Sequence, residues 1–163
     1  MKKIIIIVFF FFLIPQIGFA KELAIVDIQF LLKNSKEGKS LQKELNDLNE
    51  KNLKNFKKKE NEFKKKETNI ASKKNVLSES DFKKEVETFR NEVDKYNSEK
   101  KKKISEFNKN RNNKIAKLLE KINSSLVDYA NEHNISTTID KKYIIITKSE
   151  NDITDKILKV LDK

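Results

Sequence analysis

The chain has 163 residues, 36 of them Lys or Arg and 25 Asp or Glu, and it contains no cysteine. Without cysteine there is no disulfide framework, no thiol nucleophile and no Cys-based zinc cluster. Two glycines and one proline, with 37% charged residues, do not punctuate a compact many-turn domain, so long helices carrying a small body are expected.

The first twenty residues set Lys2 and Lys3 ahead of an apolar run over 4–14, then Pro15 and the small residues Gly18 and Ala20. That order is a secretory signal, and the run falls short of the about 20 apolar residues a spanning helix needs. A signal peptide at 1–20 is expected, with an exported, soluble mature chain from Lys21. Removing Lys2 and Lys3 leaves 34 basic and 25 acidic residues, a net charge of +9, which attracts anionic partners. Nucleic acid is not expected among them, because export separates the two and 34 of the 36 basic residues are Lys, where base reading favours Arg. Anionic lipid or acidic polypeptide fits better, although a skewed genome composition would give the same Lys, Asn and Ile bias.

Residues 23–27, Leu-Ala-Ile-Val-Asp, read as a buried strand, with Asp27 capping a helical turn that carries Phe30, Leu31 and Leu32. From Ser40 the apolar spacing becomes helical through Leu41, Leu45, Leu48, Leu53, Phe56, Phe63, Ile70 and Leu77. A second series follows through Phe82, Val86, Phe89, Val93, Tyr96, Ile104, Phe107, Ile115, Leu118, Ile122, Leu126 and Tyr129. Between them Ser78 stands three residues before Asp81, a variant capping box.

In an antiparallel hairpin both helices rise equally per residue, so facing positions have a constant numerical sum. Leu77 with Phe82, Ile70 with Phe89, Phe63 with Tyr96, and Leu41 with Leu118 each give 159. Phe56 with Ile104, Leu53 with Phe107, and Leu45 with Ile115 give 160. These fourteen residues are the expected seam, with the tip near 78–81. Phe56, Phe63, Ile70 and Leu77 recur every 7 residues while Val93, Ile104, Ile115 and Leu126 recur every 11, and these periods drift oppositely, so nearly straight arms are expected. The stripe is narrow and its flanks are charged, so the body and arm bases are expected to oligomerise.

After His133, Ile135 to Asp140 and Tyr143 to Thr147 form two β-branched runs that read as a hairpin, and Asn151 or Asp152 should cap a last helix bearing Ile153, Ile157, Leu158 and Leu161. The expected architecture is α+β, mostly α: a helical hairpin arm over 40–118 on a small β body made of 21–39 and 119–163. Leu23, Ile25, Ile144, Ile146, Ile157 and Leu161 are its expected core and oligomer contacts.

At the two ends, Leu23-Ala-Ile-Val-Asp27 resembles the first strand, and Asn151-Asp-Ile-Thr-Asp-Lys-Ile-Leu-Lys159 the closing helix, of the Skp/OmpH family of periplasmic chaperones. The resemblance implies a homotrimer whose small β body carries three tentacle-like hairpins around a cavity. It implies an ATP-independent periplasmic holdase that encloses unfolded outer-membrane protein precursors and prevents their aggregation. It also suggests a lipopolysaccharide surface as a further partner, with no residue assigned to it.

Client-facing apolar residues are expected off the seam or near the tip, at Val76, Val86 and Val93. Anionic partners would meet Lys57, Lys58, Lys59, Lys64, Lys65, Lys66, Lys100, Lys101, Lys102 and Lys103, which otherwise read as solvated faces. His133 suits a helix C-terminus, and Asp27, Asp140 and Asp152 suit caps or turns. No phosphate loop, metal set or acid–base pair emerges, so neither catalysis nor a cofactor is expected. The competing non-enzymatic reading is a structural or adhesive envelope coiled coil bound permanently to an anionic membrane surface or another envelope protein.

Overall fold

The computed structural model describes residues 23–163, and the expected signal peptide at 1–20 lies outside the described residues. Strand β1 (Leu23–Val26) is followed by a short helix α1 (Ile28–Asn34), then the long helices α2 (Lys36–Ser72) and α3 (Glu79–Glu132), strand β2 (Thr137–Asp140) and a closing helix α4 (Thr154–Leu161). Helix α3, with 54 residues, extends about 80 Å at 1.5 Å per residue. Fold-back of α2 on α3 gives a long antiparallel hairpin standing on a small α/β base.

Local chemistry explains the boundaries. Asp27 accepts from the Phe30 amide at 2.8 Å and starts α1. Ser35 ends α1 and begins α2, its buried hydroxyl accepting from the Gly38 amide at 3.1 Å. The chain bends so tightly here that a Cβ on Gly38 would collide with the Leu32 carbonyl, which explains a glycine inside a helix. Helix α2 ends at Ser72, ahead of the expected tip at 78–81, because Lys73 to Leu77 wind on in a looser turn, with the Leu77 amide bonded to the Lys73 carbonyl at 3.0 Å. Ser78 then caps α3, accepting from the Asp81 amide at 3.2 Å while its hydroxyl donates to the Asp81 carboxylate at 2.7 Å. At the far end of α3, Asn134 adopts a left-handed φ of 51° and the Ile135 amide bonds back to the Ala130 carbonyl at 2.9 Å, a Schellman closure. His133 stacks on Tyr129 with ring centres 3.9 Å apart at this helix end.

The base differs from the expected β hairpin. Strand β2 pairs in parallel with β1, in the register Leu23 with Thr137 through Val26 with Asp140, and the whole arm forms the crossover that parallel pairing requires. Residues 143–147 do not return as a strand. Asp140 caps a 3-10 turn at Lys141–Tyr143, and Lys141 is drawn to Asp152 at 2.7 Å, which turns the chain away from β2. On its other edge β1 bridges Asp152, with the Ile153 amide on the Ile25 carbonyl at 2.9 Å.

The core forms where this sheet, α1 and α4 meet the lower part of α3: Ala24, Val26, Leu31, Leu118, Ile122, Leu126, Tyr129, Ile135, Ile153 and Ile157. Of the residues expected in the body core, Ile25 and Ile157 are buried, and Ile144 and Leu161 are half-buried. Leu23 lies at the strand's open start and is exposed. Ile146 is 89% exposed beside Ile145 at 97%, so within one chain it takes no part in the core, and the strand expected at 143–147 does not form. Thr154 ties the base together, its buried hydroxyl accepting from the Asp27 amide at 2.9 Å.

Gly38→Ala should lower stability by about 3 kcal/mol, since the obstacle is backbone carbonyl rather than a flexible side chain. Urea unfolding followed by circular dichroism measures it, and a loss within about 0.5 kcal/mol would contradict the close approach.

Candidate functional site

The arm is held along its seam by aromatic and aliphatic packing. Phe56 and Ile70 are buried, and Phe63 meets Tyr96 and Phe89 edge-on with ring centres 5.2 and 5.9 Å apart. Leu41, Leu45, Leu77, Phe82, Phe107 and Ile115 are half-buried, and Leu118 belongs to the base core. Two expected seam residues are left open: Leu53 is 56% and Ile104 45% exposed.

Midway along the arm, the Tyr96 hydroxyl donates to the Phe56 carbonyl at 3.2 Å and to Glu60 Oε1 at 3.3 Å. Lys100 donates to the same carboxylate oxygen at 2.6 Å and lies 5.4 Å from the Phe56 ring centre. The Lys100 hydrogen bond holds the Glu60 carboxyl below its ordinary range against a smaller opposing effect of desolvation. That same bond raises Lys100. Tyr96 is pushed up first by burial and then by the charge of Glu60.

Further ion pairs cross the hairpin, and their polarity reverses along it. Towards the base, α2 supplies the acid: Glu37 to Lys121 and Glu44 to Lys114, both at 2.5 Å, and Glu60 to Lys100. Towards the tip the base comes from α2 and its C-cap: Lys66 to Glu92 at 2.7 Å and Lys73 to Glu85 at 3.0 Å. The lysine clusters therefore divide. Lys66 and Lys100 are cross-arm partners, Lys59 pairs with Glu62 at 3.1 Å, and Lys102 reaches Glu106 at 4.0 Å. Lys57, Lys58, Lys64, Lys65, Lys101 and Lys103 are exposed. Val76 at the tip is 81% exposed, whereas Val86 and Val93 are half-buried along α3. The structure does not bring these valines and lysines into one site.

What it does bring together is an open furrow on one flank of the arm. Two clefts of about 490 and 690 Å³ share Asn49 and Phe107 and so run on from one another. Leu41 and Leu45 lie at the base end, Leu53 and Ile104 farther along, and Lys57, Lys64 and Arg111 at the rim. Helical geometry puts the Glu37, Glu44, Lys66 and Lys73 pairs on the other flank. Sequence reasoning missed this furrow, because its asparagines, Asn46, Asn49, Asn52, Asn61 and Asn108, are indistinguishable from the general Asn bias. The recurrence of Asn46, Asn49 and Asn52 every three residues along α2 was the available signal.

In the base, burial pushes the Asp152 carboxyl up, but hydrogen bonds from Lys141 and Thr154 outweigh this and hold it below its ordinary value. Among the described residues no group of three His, Cys, Asp or Glu side chains is arranged to hold a metal ion.

The model of the family described as outer membrane protein (OmpH-like) matches residues 22–161, almost the whole chain. The chain belongs to the OmpH-like family. The OmpH-like fold is matched by a solved structure from Caulobacter crescentus, described as that of an OmpH-like outer membrane chaperone. Its TM-score is 0.81 at 13% identity, covering 86% of this chain and 83% of the Caulobacter chain. No curated protein sequence matches this OmpH-like chain.

The lowered Glu60 pKa means that its stabilising contribution is present above the ordinary carboxylate range and lost as pH falls through the folded value. Lys100, being raised, loses its share only at strongly alkaline pH. The melting temperature of Glu60→Gln should therefore lie below that of the unaltered protein at pH 7, and the two should converge in acid, once the pH has fallen through the lowered Glu60 value. A gap unchanged at acid pH would contradict the role given to the pair.

Proposed function

We propose that this OmpH-like chain is an ATP-independent holdase chaperone of the periplasm, which keeps outer-membrane protein precursors unfolded and apart while they await insertion. The observation that carries the reading is the arm itself: a projection about 55 Å long, set by the 37 residues of α2 at 1.5 Å each, only two helices thick, with lysine-rich outer faces and apolar side chains left uncovered at Leu53 and Ile104. A holdase needs many weak contacts rather than one tight site, because tight binding would delay release. Barrel precursors expose strand edges and alternating apolar faces, which aggregate unless kept separate. Basic arms attract acidic segments without fixed geometry, and like charge on neighbouring arms opposes their collapse.

The acting unit is a homotrimer in this reading, with arms over 40–118 rising from a joint body of 21–39 and 119–163. Support comes from the base, where Tyr143, Ile145 and Ile146 form an exposed run of aromatic and β-branched side chains while, among the described residues, β2 has one pairing edge unoccupied. A monomer gains nothing by leaving such a run in water, whereas a neighbouring copy would both bury it and pair it.

Light scattering tests the function. An outer-membrane β-barrel protein diluted from urea should stay clear when about one trimer per client is present, with protection weakening as salt rises. Unchanged aggregation, together with tight binding to anionic vesicles, would instead identify a permanent envelope adhesin.

A further inference from the structure

We propose that the furrow between α2 and α3 seats one extended client segment of about ten residues that alternates apolar with acidic side chains. This assignment rests on the holdase reading and gives it a site: each arm would hold a single strand-forming stretch.

Three observations converge on that occupant. The first is length. From Leu41 to Lys64 the furrow runs along α2 for about 35 Å at 1.5 Å per residue, and ten residues of extended chain cover about 33 Å. A strand of a membrane β-barrel has about 9–11 residues, so one strand fills the furrow end to end. The second is the pairing of apolar and amide groups. Leu53 and Ile104 stand exposed in its floor, while Asn49, Asn52, Asn61 and Asn108 line it. Among the described residues none of these four amides has a hydrogen-bond partner within the chain. A side-chain amide both donates and accepts, so it can pair with peptide groups whatever the client sequence. An extended segment offers free backbone N–H and C=O groups along its edges, whereas a docked helix has already spent its own internally. That difference favours a strand over a third helix.

The third is charge. Lys57, Lys64 and Arg111 line the furrow without a salt bridge among the described residues, and its one acidic residue, Glu60, is already held by Lys100. The furrow therefore presents net positive charge around an apolar floor. Acidic side chains pointing up from a strand would meet that rim, and the alternate apolar ones would meet the floor. The opposite flank is crossed by the Glu44–Lys114 and Lys66–Glu92 pairs, so the two sides of one arm are not equivalent.

Photocrosslinking tests this in the full chain, which has no native cysteine to compete for the label. Leu53→Cys and, on the outer face of α2, Lys58→Cys would each carry a benzophenone. Each protein would then be mixed with a urea-unfolded outer-membrane barrel protein while light scattering is recorded. Crosslinking to client should be about tenfold greater from position 53 and should map to alternating apolar and acidic stretches, and Leu53→Asp with Ile104→Asp should weaken a ten-residue strand peptide about tenfold. Equal or absent crosslinking from the two positions, with protection intact, overturns the furrow and leaves the holdase reading standing. Crosslinking from 53 to a second copy of this chain also overturns it, by making the furrow a contact between arms. Loss of protection by the unlabelled protein overturns the holdase reading and the furrow with it.

Discussion

Everything above the base depends on two helices being held antiparallel in one register. The arm has no third layer to correct an error, because its seam is a single line of side chains from Leu41 and Leu118 to Ile70 and Phe89. Apolar packing supplies most of the attraction, yet a repeating stripe tolerates slips of whole turns. The ion pairs remove that tolerance through their reversed polarity. A displacement of about eight residues one way would set Lys66 against Lys100, and the other way Glu60 against Glu92. Each pair is exposed and screened by solvent, so they add little strength. Their effect is on choice, since like charges brought together penalise the wrong registers. The Tyr96, Glu60 and Lys100 cluster sits close to where the polarity switches, and the hydroxyl bond to the Phe56 carbonyl fixes one helix to the other's backbone.

Once register is set, the flanks of the arm become unequal. On one, oppositely charged side chains close over the seam. On the other, Leu53 and Ile104 face water between lysines and asparagines. A two-helix arm cannot enclose its stripe from both sides, and this incompleteness connects the fold to the proposed work. On the proposed reading, clients that expose apolar strands would meet a surface with apolar groups to spare and a positive field that draws acidic segments toward it. The gain per contact would stay small, as the proposed holding and release of clients requires.

The fold-back was legible in the sequence because its evidence is internal to one chain: facing positions share a sum, and Ser78 with Asp81 marks where the second helix begins. Asp27 was legible for the same reason, as a cap acts within four residues. The base was read less well. Tyr143 to Thr147 has the β-branched composition of a buried strand, but composition does not say which backbone it will pair with, or whether that backbone is in the same chain. Parallel pairing of β1 with β2, which end and begin at Val26 and Thr137 with the whole arm between them, leaves no local mark at all. The furrow escaped notice for a third reason: it is made of residues that the apolar pattern counts as seam, at Leu53 and Ile104, and of asparagines that composition treats as noise.

The most direct test of the account is the register of the arm. Cysteines placed at Ile70 and Phe89 should join under oxidation within one chain and change its mobility on a non-reducing gel, whereas cysteines at Ile70 and Phe107 should not. Equal crosslinking in the two variants, or joining of Ile70→Cys and Phe89→Cys only between chains, would contradict the hairpin on which the seam, the furrow and the holding function all rest.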